Sequence, residues 1–225
     1  MRSIKPSLLS IFLCLAGWTL AAGQEAAQLP PHVSSLGTRF ASVPGTMVQF
    51  AVWETRLSEW HEFLRQQKHP WSYQPHFQQT PEHPVVGANL QDAVAFCNWL
   101  TETEREKKLI DSSQSYRLPT PAEWDAAVGL ARGRKQAGIT AEDRLRDDRI
   151  YPWGESWPPP PKTANLAEGE IPGHTDGYAY TAPVGSFAPS KEGLFDLAGN
   201  VWEWTQPVEI RATPTGVLRG GSWAY

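Results

Sequence analysis

The chain has 225 residues, with 20 basic and 24 acidic side chains, 11 tryptophans and two cysteines, and a formal charge of −4. No basic cluster stands out that would hold a phosphate backbone, so a nucleic-acid partner is excluded. So few cysteines also exclude a disulfide-knitted scaffold, and the fold must rest on packing.

The N-terminus reads as an export signal. Met1–Lys5 is short and basic, Leu8–Leu20 is almost wholly apolar, and Ala21-Ala22-Gly23 offers small residues for cleavage. The run is too short for a membrane span, so residues 1–23 are expected to be removed and the protein released to the periplasm or exterior rather than integrated in a membrane. Cys14 follows Leu13 rather than a small residue, which argues against a lipoprotein anchor. Without the signal, 18 basic residues face 24 acidic ones, Cys97 is the only cysteine, and no internal disulfide is available. The rest suffices for one domain with a sizeable core.

Residues 24–35 are polar and aperiodic, the pattern of a flexible leader, and the folded domain is expected over 36–225. Thr38–Trp53 alternates loosely around Pro44-Gly45, which predicts a β-hairpin. Glu54 ends it, with a structural role expected, and Leu57, Trp60, Phe63 and Leu64 then recur at helical spacing. His69, His76 and His83 lie on a proline-rich loop without fixed geometry, so solvated side chains are expected rather than a metal site. Asn89 is a predicted N-cap for a helix from Leu90 to about Lys108, with Leu90, Val94, Cys97 and Leu100 on one face. Cys97 thus reads as a packed thiol rather than a nucleophile. Thr120-Pro-Ala-Glu123 is a capping box that opens a helix to about Leu130, with Trp124 and Val128 inward. Arg117, just before it, is a candidate ion-pair donor whose partner is not legible.

Ala131–Arg149 is charged and predicted to be an exposed insertion. From Tyr151-Pro-Trp-Gly154 onward helical periods vanish, and only Ala182–Phe187 and Gly216–Gly220 look like short strands. The fold class is therefore α+β, low in regular structure, with helices mainly in the N-terminal half. Near the end stands Gly-Leu-Phe-Asp-Leu-Ala-Gly-Asn-Val-Trp-Glu-Trp, Gly193–Trp204. Gly199-Asn200 breaks any helical period and favours a turn. Asp196 and Glu203 supply hard anionic oxygens, and the turn between them can aim carbonyls inward, as calcium requires. The plainer alternative is a glycine turn before an aromatic strand.

Four blocks in this order, Tyr116-Arg-Leu-Pro-Thr-Pro-Ala-Glu-Trp124, Tyr151-Pro-Trp-Gly154, Gly193–Trp204 and Leu218-Arg-Gly-Gly-Ser-Trp223, resemble the signature of the formylglycine-generating enzyme family, the sulfatase-modifying factors. The resemblance runs from about Leu36 to Tyr225 and implies a fold related to C-type lectins. It also implies two calcium sites. One maps onto Asp196, the carbonyls of Gly199 and Val201, and Glu203. The other maps onto Asn165, the carbonyl of Leu166, Asp176 and the carbonyl of Tyr178. Asp196 stands where the family often has Asn.

The same resemblance implies a copper-binding cysteine pair, which oxidises a substrate cysteine to formylglycine. Its first member would lie three residues after Ser222, where this chain has Tyr225, and the second is absent. Copper is therefore not expected, because a phenol does not replace a soft thiolate at copper(I). The family's tail also ends in a core strand, so this chain reads as truncated at its C-terminus. The resulting expectation is a non-catalytic, calcium-stabilised binding module for a peptide, protein or glycan. The alternative is an active family enzyme that oxidises a sulfatase cysteine or performs another metal-dependent oxidation.

Overall fold

The computed structural model describes strands 9–11 and 14–16 and residues 29–130, 150–167, 171–206 and 216–224. Two sheets flank three helices, the mixed α+β arrangement expected. The five-stranded sheet has β2 (Cys14–Ala16), β3 (His32–Val33), β4 (Arg39–Ser42), β5 (Gln49–Ala51) and β6 (Ser115–Arg117), in the order β3-β4-β5-β2-β6. The smaller sheet sets β1 (Leu9–Ile11) parallel to β7 (Trp202–Trp204), with β8 (Leu218–Arg219) antiparallel on the other side of β7. The predicted hairpin is β4–β5, registered Phe40 to Ala51 and Ser42 to Gln49.

Two stretches expected to lie outside the domain enter these sheets. The apolar run read as an export signal supplies β1 and β2, and β2 pairs with β5 on one side and β6 on the other. Within the expected leader, His32–Val33 pairs with β4, and His32 Nε2 lies 2.5 Å from the Tyr116 hydroxyl.

The helices start where the capping chemistry places them. Helix α1 (Leu57–Gln67) opens as Glu59 Oε2 accepts from the Arg56 amide at 2.8 Å. Helix α2 (Leu90–Glu106) opens with reciprocal bonds between Asn89 and Asp92 of 2.9 and 3.0 Å. Helix α3 (Pro121–Val128) follows the Thr120–Glu123 box and stops at Gly129, in the left-handed conformation that glycine adopts without penalty. Trp60 and Phe63 of α1 pack on Phe96 and Trp99 of α2, ring centroids 5.4–5.6 Å apart, and fill the main core.

One residue of the expected face is out of place. Val94 is 41% exposed, while Cys97 and Leu100 are buried and Leu90 packs against the same core. Ala93 and Phe96 take the inward positions instead, because the Phe96 ring buries more area than a valine. Cys97 lies in that core as expected. Ala182–Phe187 is not a strand: Val184 donates to Glu82 and Ser186 to Pro183, which makes a turn. The predicted strand at Gly216–Gly220 is β8. The predicted insertion at 131–149 and Tyr225 lie outside the described residues.

Candidate functional site

Gly193–Trp204 is a series of tight turns that ends in β7. Asp196, Gly199 and Asn200 have φ of 57°, 80° and 53°. Such left-handed backbone is reached most readily by Gly, Asn and Asp, the residues present. Between the turns, Leu194 and Leu197 sink into a core shared with Phe50 and Trp124, while Val201 enters another with Phe77 and Val86. The apolar side chains pin the loop, and the oxygen-bearing ones are drawn into the interior with it.

Asp196 is buried, with Oδ2 accepting from the Gly185 amide at 2.6 Å and Oδ1 unpartnered. Glu203, at the centre of β7, is fully buried. Its Oε2 accepts from Trp124 Nε1 at 2.5 Å, and its Oε1 has no partner. Gly199 donates to the Gly220 carbonyl at 2.9 Å, tying the loop to the residue after β8. Val201 donates to Glu54 Oε1 at 3.3 Å.

The second predicted cluster adjoins the first. Asn165 and Gly199 form a bridge, and the Asn200 amide donates to the Asn165 carbonyl at 2.8 Å. The Asn165 side chain donates to the Tyr180 carbonyl and to Asn200 Oδ1, leaving its own Oδ1 buried and unpartnered. Asp176 accepts from the amides of Leu166 (2.9 Å) and Tyr178 (2.8 Å), so three of the four predicted members are bonded to one another and the fourth, Asn165, precedes Leu166. The structure thus joins all eight predicted residues into one region with two halves.

Asn200, which sequence reasoning treated only as a turn residue, is the joint. It is fully buried, and its side chain bonds Glu54, Ala182 and Asn165 while its carbonyl accepts from Trp223 at 2.9 Å. Glu54, expected to be structural, holds this joint: its Oε2 accepts from Asn200 Nδ2 at 2.7 Å. His174 was not anticipated; its Nε2 lies 3.9 Å from Asp176 Oδ2. The loop histidines sit apart: His69 on Asp92, His76 on Phe77 and Tyr180, and His83 on Thr80. Arg117 finds its partner in Glu123, at 2.6 and 2.8 Å.

Glu54, Asp196 and Glu203 are close enough to act on one another's charge. Burial raises the carboxyl of Glu54 well above the ordinary range, and the charges of Asp196 and Glu203 raise it further. Burial likewise pushes Asp196 up to about 7 and raises Glu203, against the Trp124 hydrogen bond. Among the described residues no ion pair reaches any of the three. A buried carboxylate without a counter-charge is costly, and either protonation or a cation relieves it. Three buried oxygens, on Asn165, Asp196 and Glu203, have no hydrogen-bond partner, while among the described residues no group of three or more His, Cys, Asp or Glu is arranged to hold a metal ion. Carboxylate and amide oxygens are the donor types that calcium takes.

Beside the two halves lies a cavity of about 340 Å³ lined by Tyr151, Trp153, Trp157, Leu166, Gly220 and Gly221 among others. Tyr151 and Trp153 stack at 5.2 Å, and Trp157 is 58% exposed. Ser222, next to Gly221, is buried and accepts from the Ala224 amide.

Residues 14–225 match the family described as sulfatase-modifying factor enzyme 1-like domain. The chain is 40% identical over 165 residues to the formylglycine-generating enzyme of Thermomonospora curvata, covering 64% of this chain and 45% of that one. It is 35% identical over 147 residues to the inactive C-alpha-formylglycine-generating enzyme 2 of Bos taurus, covering 63% and 39%. Among solved structures, PvdO from Pseudomonas aeruginosa shares the fold with a TM-score of 0.54 at 20% identity, covering 96% of this chain and 80% of that one. The matched region spans less than half the length of these two sequence relatives.

Proposed function

Given that the chain belongs to the sulfatase-modifying factor family, we propose that it is a non-catalytic, calcium-stabilised binding module that acts after export. The observation that carries this reading is that buried oxygens of Asn165, Asp196 and Glu203 have no hydrogen-bond partner and that, among the described residues, no cationic side chain pairs with the two carboxylates. Calcium bound by Asp196, Glu203 and the carbonyls of Gly199 and Val201 would neutralise that site. A second ion at Asn165, Leu166, Asp176 and Tyr178 would lock the adjoining loop. Melting the protein with calcium and with a chelator tests this, and equal midpoints would refute it.

Two features support the non-catalytic part. Tyr225 stands where the resemblance puts the family's first copper-binding cysteine. Cys97 is buried mid-helix, and burial pushes its thiol up to about 12, so it is no thiolate for copper. One relative carries the word inactive in its name. The relative at 40% identity is an enzyme by name, which favours activity as the second reading. Incubating the protein with copper, oxygen, a thiol reductant and a sulfatase-type cysteine peptide separates them, since aldehyde formation would establish the enzyme.

The expected ligand, a peptide, protein or glycan, would enter the aromatic cavity between the metal loops, where exposed Trp157 offers a stacking face. Export rests on the basic and apolar N-terminus. Because residues 9–11 and 14–16 also pair in both sheets, N-terminal sequencing of the secreted product is the direct test. A secreted product that begins at Met1 would refute cleavage.

A further inference from the structure

β2 occupies the interior of the five-stranded sheet, antiparallel to β5 on one side and to β6 on the other. It belongs to the apolar run that export is expected to remove. Loss of β2 would split that sheet, whereas loss of β1 only frees one edge of β7. Both walls of the resulting gap are held from outside it. Val52 donates to the Arg39 carbonyl at 2.9 Å, and at that register Phe50 bonds Ala41 of β4 while Gln49 and Ala51 turn their backbone groups to β2. On β6 the Tyr116 amide donates to Thr101 Oγ1 of α2 at 2.9 Å, so Ser115 and Arg117 turn the other way, to β2. Arg105 of α2 donates to the Gln114 carbonyl at 2.7 Å and fixes the entry to β6.

We infer that the exported protein, once residues 1–23 are removed, binds an extended apolar segment of another polypeptide as a replacement strand between β5 and β6, antiparallel to both. This rests on the export reading above. Neighbouring strands lie about 4.8 Å apart, so the gap of about 9.6 Å admits one strand and no more. Buried backbone groups without partners are costly, and a strand in the gap satisfies those of Gln49, Ala51, Ser115 and Arg117 on both edges at once. What lies above and below the gap sets the composition of the segment. Ala51 and Tyr116 belong to the main core and Phe50 to the second core with Trp124, so both faces of the incoming strand are covered. An alternating strand would bury its polar half. A continuous apolar run fits, as Leu13-Cys14-Leu15-Ala16 does in the uncleaved chain.

The experiment uses the secreted product itself, its N-terminus sequenced first, and follows amide hydrogen exchange residue by residue. The probe is a synthetic peptide of residues 12–18 carrying Cys14→Ser and flanking lysines for solubility. A control peptide also carries Leu15→Pro, which removes the N–H that meets β5. The product should begin after residue 23, and the amides of Gln49, Ala51, Ser115 and Arg117 should exchange fast in it alone. The peptide should slow these four about tenfold or more, while Phe50 and Tyr116 stay slow throughout. The proline peptide should bind at least about tenfold more weakly, the worth of one lost hydrogen bond and a steric clash. A product that begins at Met1 keeps β2 in place, which refutes cleavage and overturns the inference with it. A cleaved product whose four amides are already slow has closed its sheet or, if it sediments as a dimer, has filled the gap with a second copy; either result overturns the inference and leaves cleavage intact. Equal binding of the two peptides also overturns it. If the cleaved product is unfolded alone, folding on addition of the peptide upholds the replacement strand, and no folding overturns it.

Discussion

The side chain of Asn200 donates to Glu54 Oε2 at 2.7 Å across 146 residues of sequence. That bond ties the end of the N-terminal hairpin to the turn that separates Gly199 from Val201. Glu54 also accepts from the Val201 amide, so one carboxylate holds the backbone on which two predicted carbonyl ligands sit. The loop proposed to bind calcium is therefore anchored from outside itself.

Glu54→Ala should be among the more damaging single changes. It strands the Asn200 amide and the Val201 N–H in a site closed to water and leaves a cavity. The expected loss is on the order of 3 kcal/mol. Glu54→Gln keeps an acceptor and removes one of three mutually repelling carboxylates, so it should cost much less. Urea denaturation of both variants in a chelator checks the order, and equal losses would contradict this account.

Arg117 and Glu123 form a partly exposed pair, 26% and 18% by side chain, so Arg117→Ala should cost only about 1 kcal/mol near neutral pH. Burial pulls the Glu123 carboxyl upward, but the Arg117 hydrogen bond and the Thr120 bonds outweigh it and hold it below its ordinary 4.5. A depressed carboxyl contributes stability above its unfolded value and loses it as pH falls through the folded one. The difference between wild type and Arg117→Ala should thus hold down to about 4.5 and shrink below it. A difference that grows on acidification would contradict the assignment.

Helix starts were legible because caps are local: Asn89 to Asp92 and Thr120 to Glu123 are each three residues apart. The residues expected to bind metal stood out as oxygen-bearing types on short loops, and the resemblance paired them. What could not be read is whatever depends on contact at a distance. Asn200 reaches Glu54 and Asn165 at separations of 146 and 35 residues. The burial of Phe96 in place of Val94 follows from the aromatic layer of α1, which no period within α2 reveals. His174 lies two residues before Asp176 on an irregular loop, where no period marks a side chain as buried.

Cys97 should resist alkylation. Its side chain is buried on α2, and burial raises the thiol to about 12, so the reactive thiolate is scarce near neutral pH. Iodoacetamide added to the native protein should leave the Cys97 peptide unmodified by mass spectrometry, and the same reagent in guanidinium should label it fully. Rapid labelling of the native protein would show an accessible thiolate and reopen a redox role.

Gly199→Ala tests whether the two loops proposed to bind calcium depend on each other. A Cβ at Gly199 would sit 2.8 Å from the carbonyl carbon of Asn165 and closer still to its oxygen, and φ is already 80°. Neither obstacle is a flexible side-chain end: the clash is with backbone, and an L residue resists that φ. Asn165 must move, and with it the carbonyl that accepts from Asn200 and the Leu166 amide that holds Asp176. The variant should lose about 3 kcal/mol or more and a large part of the calcium-dependent shift in melting temperature, although it removes no metal-binding oxygen. Gly193→Ala is the control, since its φ of 80° is as strained but its Cβ meets nothing within 4 Å. It should cost only the backbone penalty, about 1–2 kcal/mol, and keep the calcium response. If both variants melt alike and respond alike to calcium, the contact between Gly199 and Asn165 does not couple the loops.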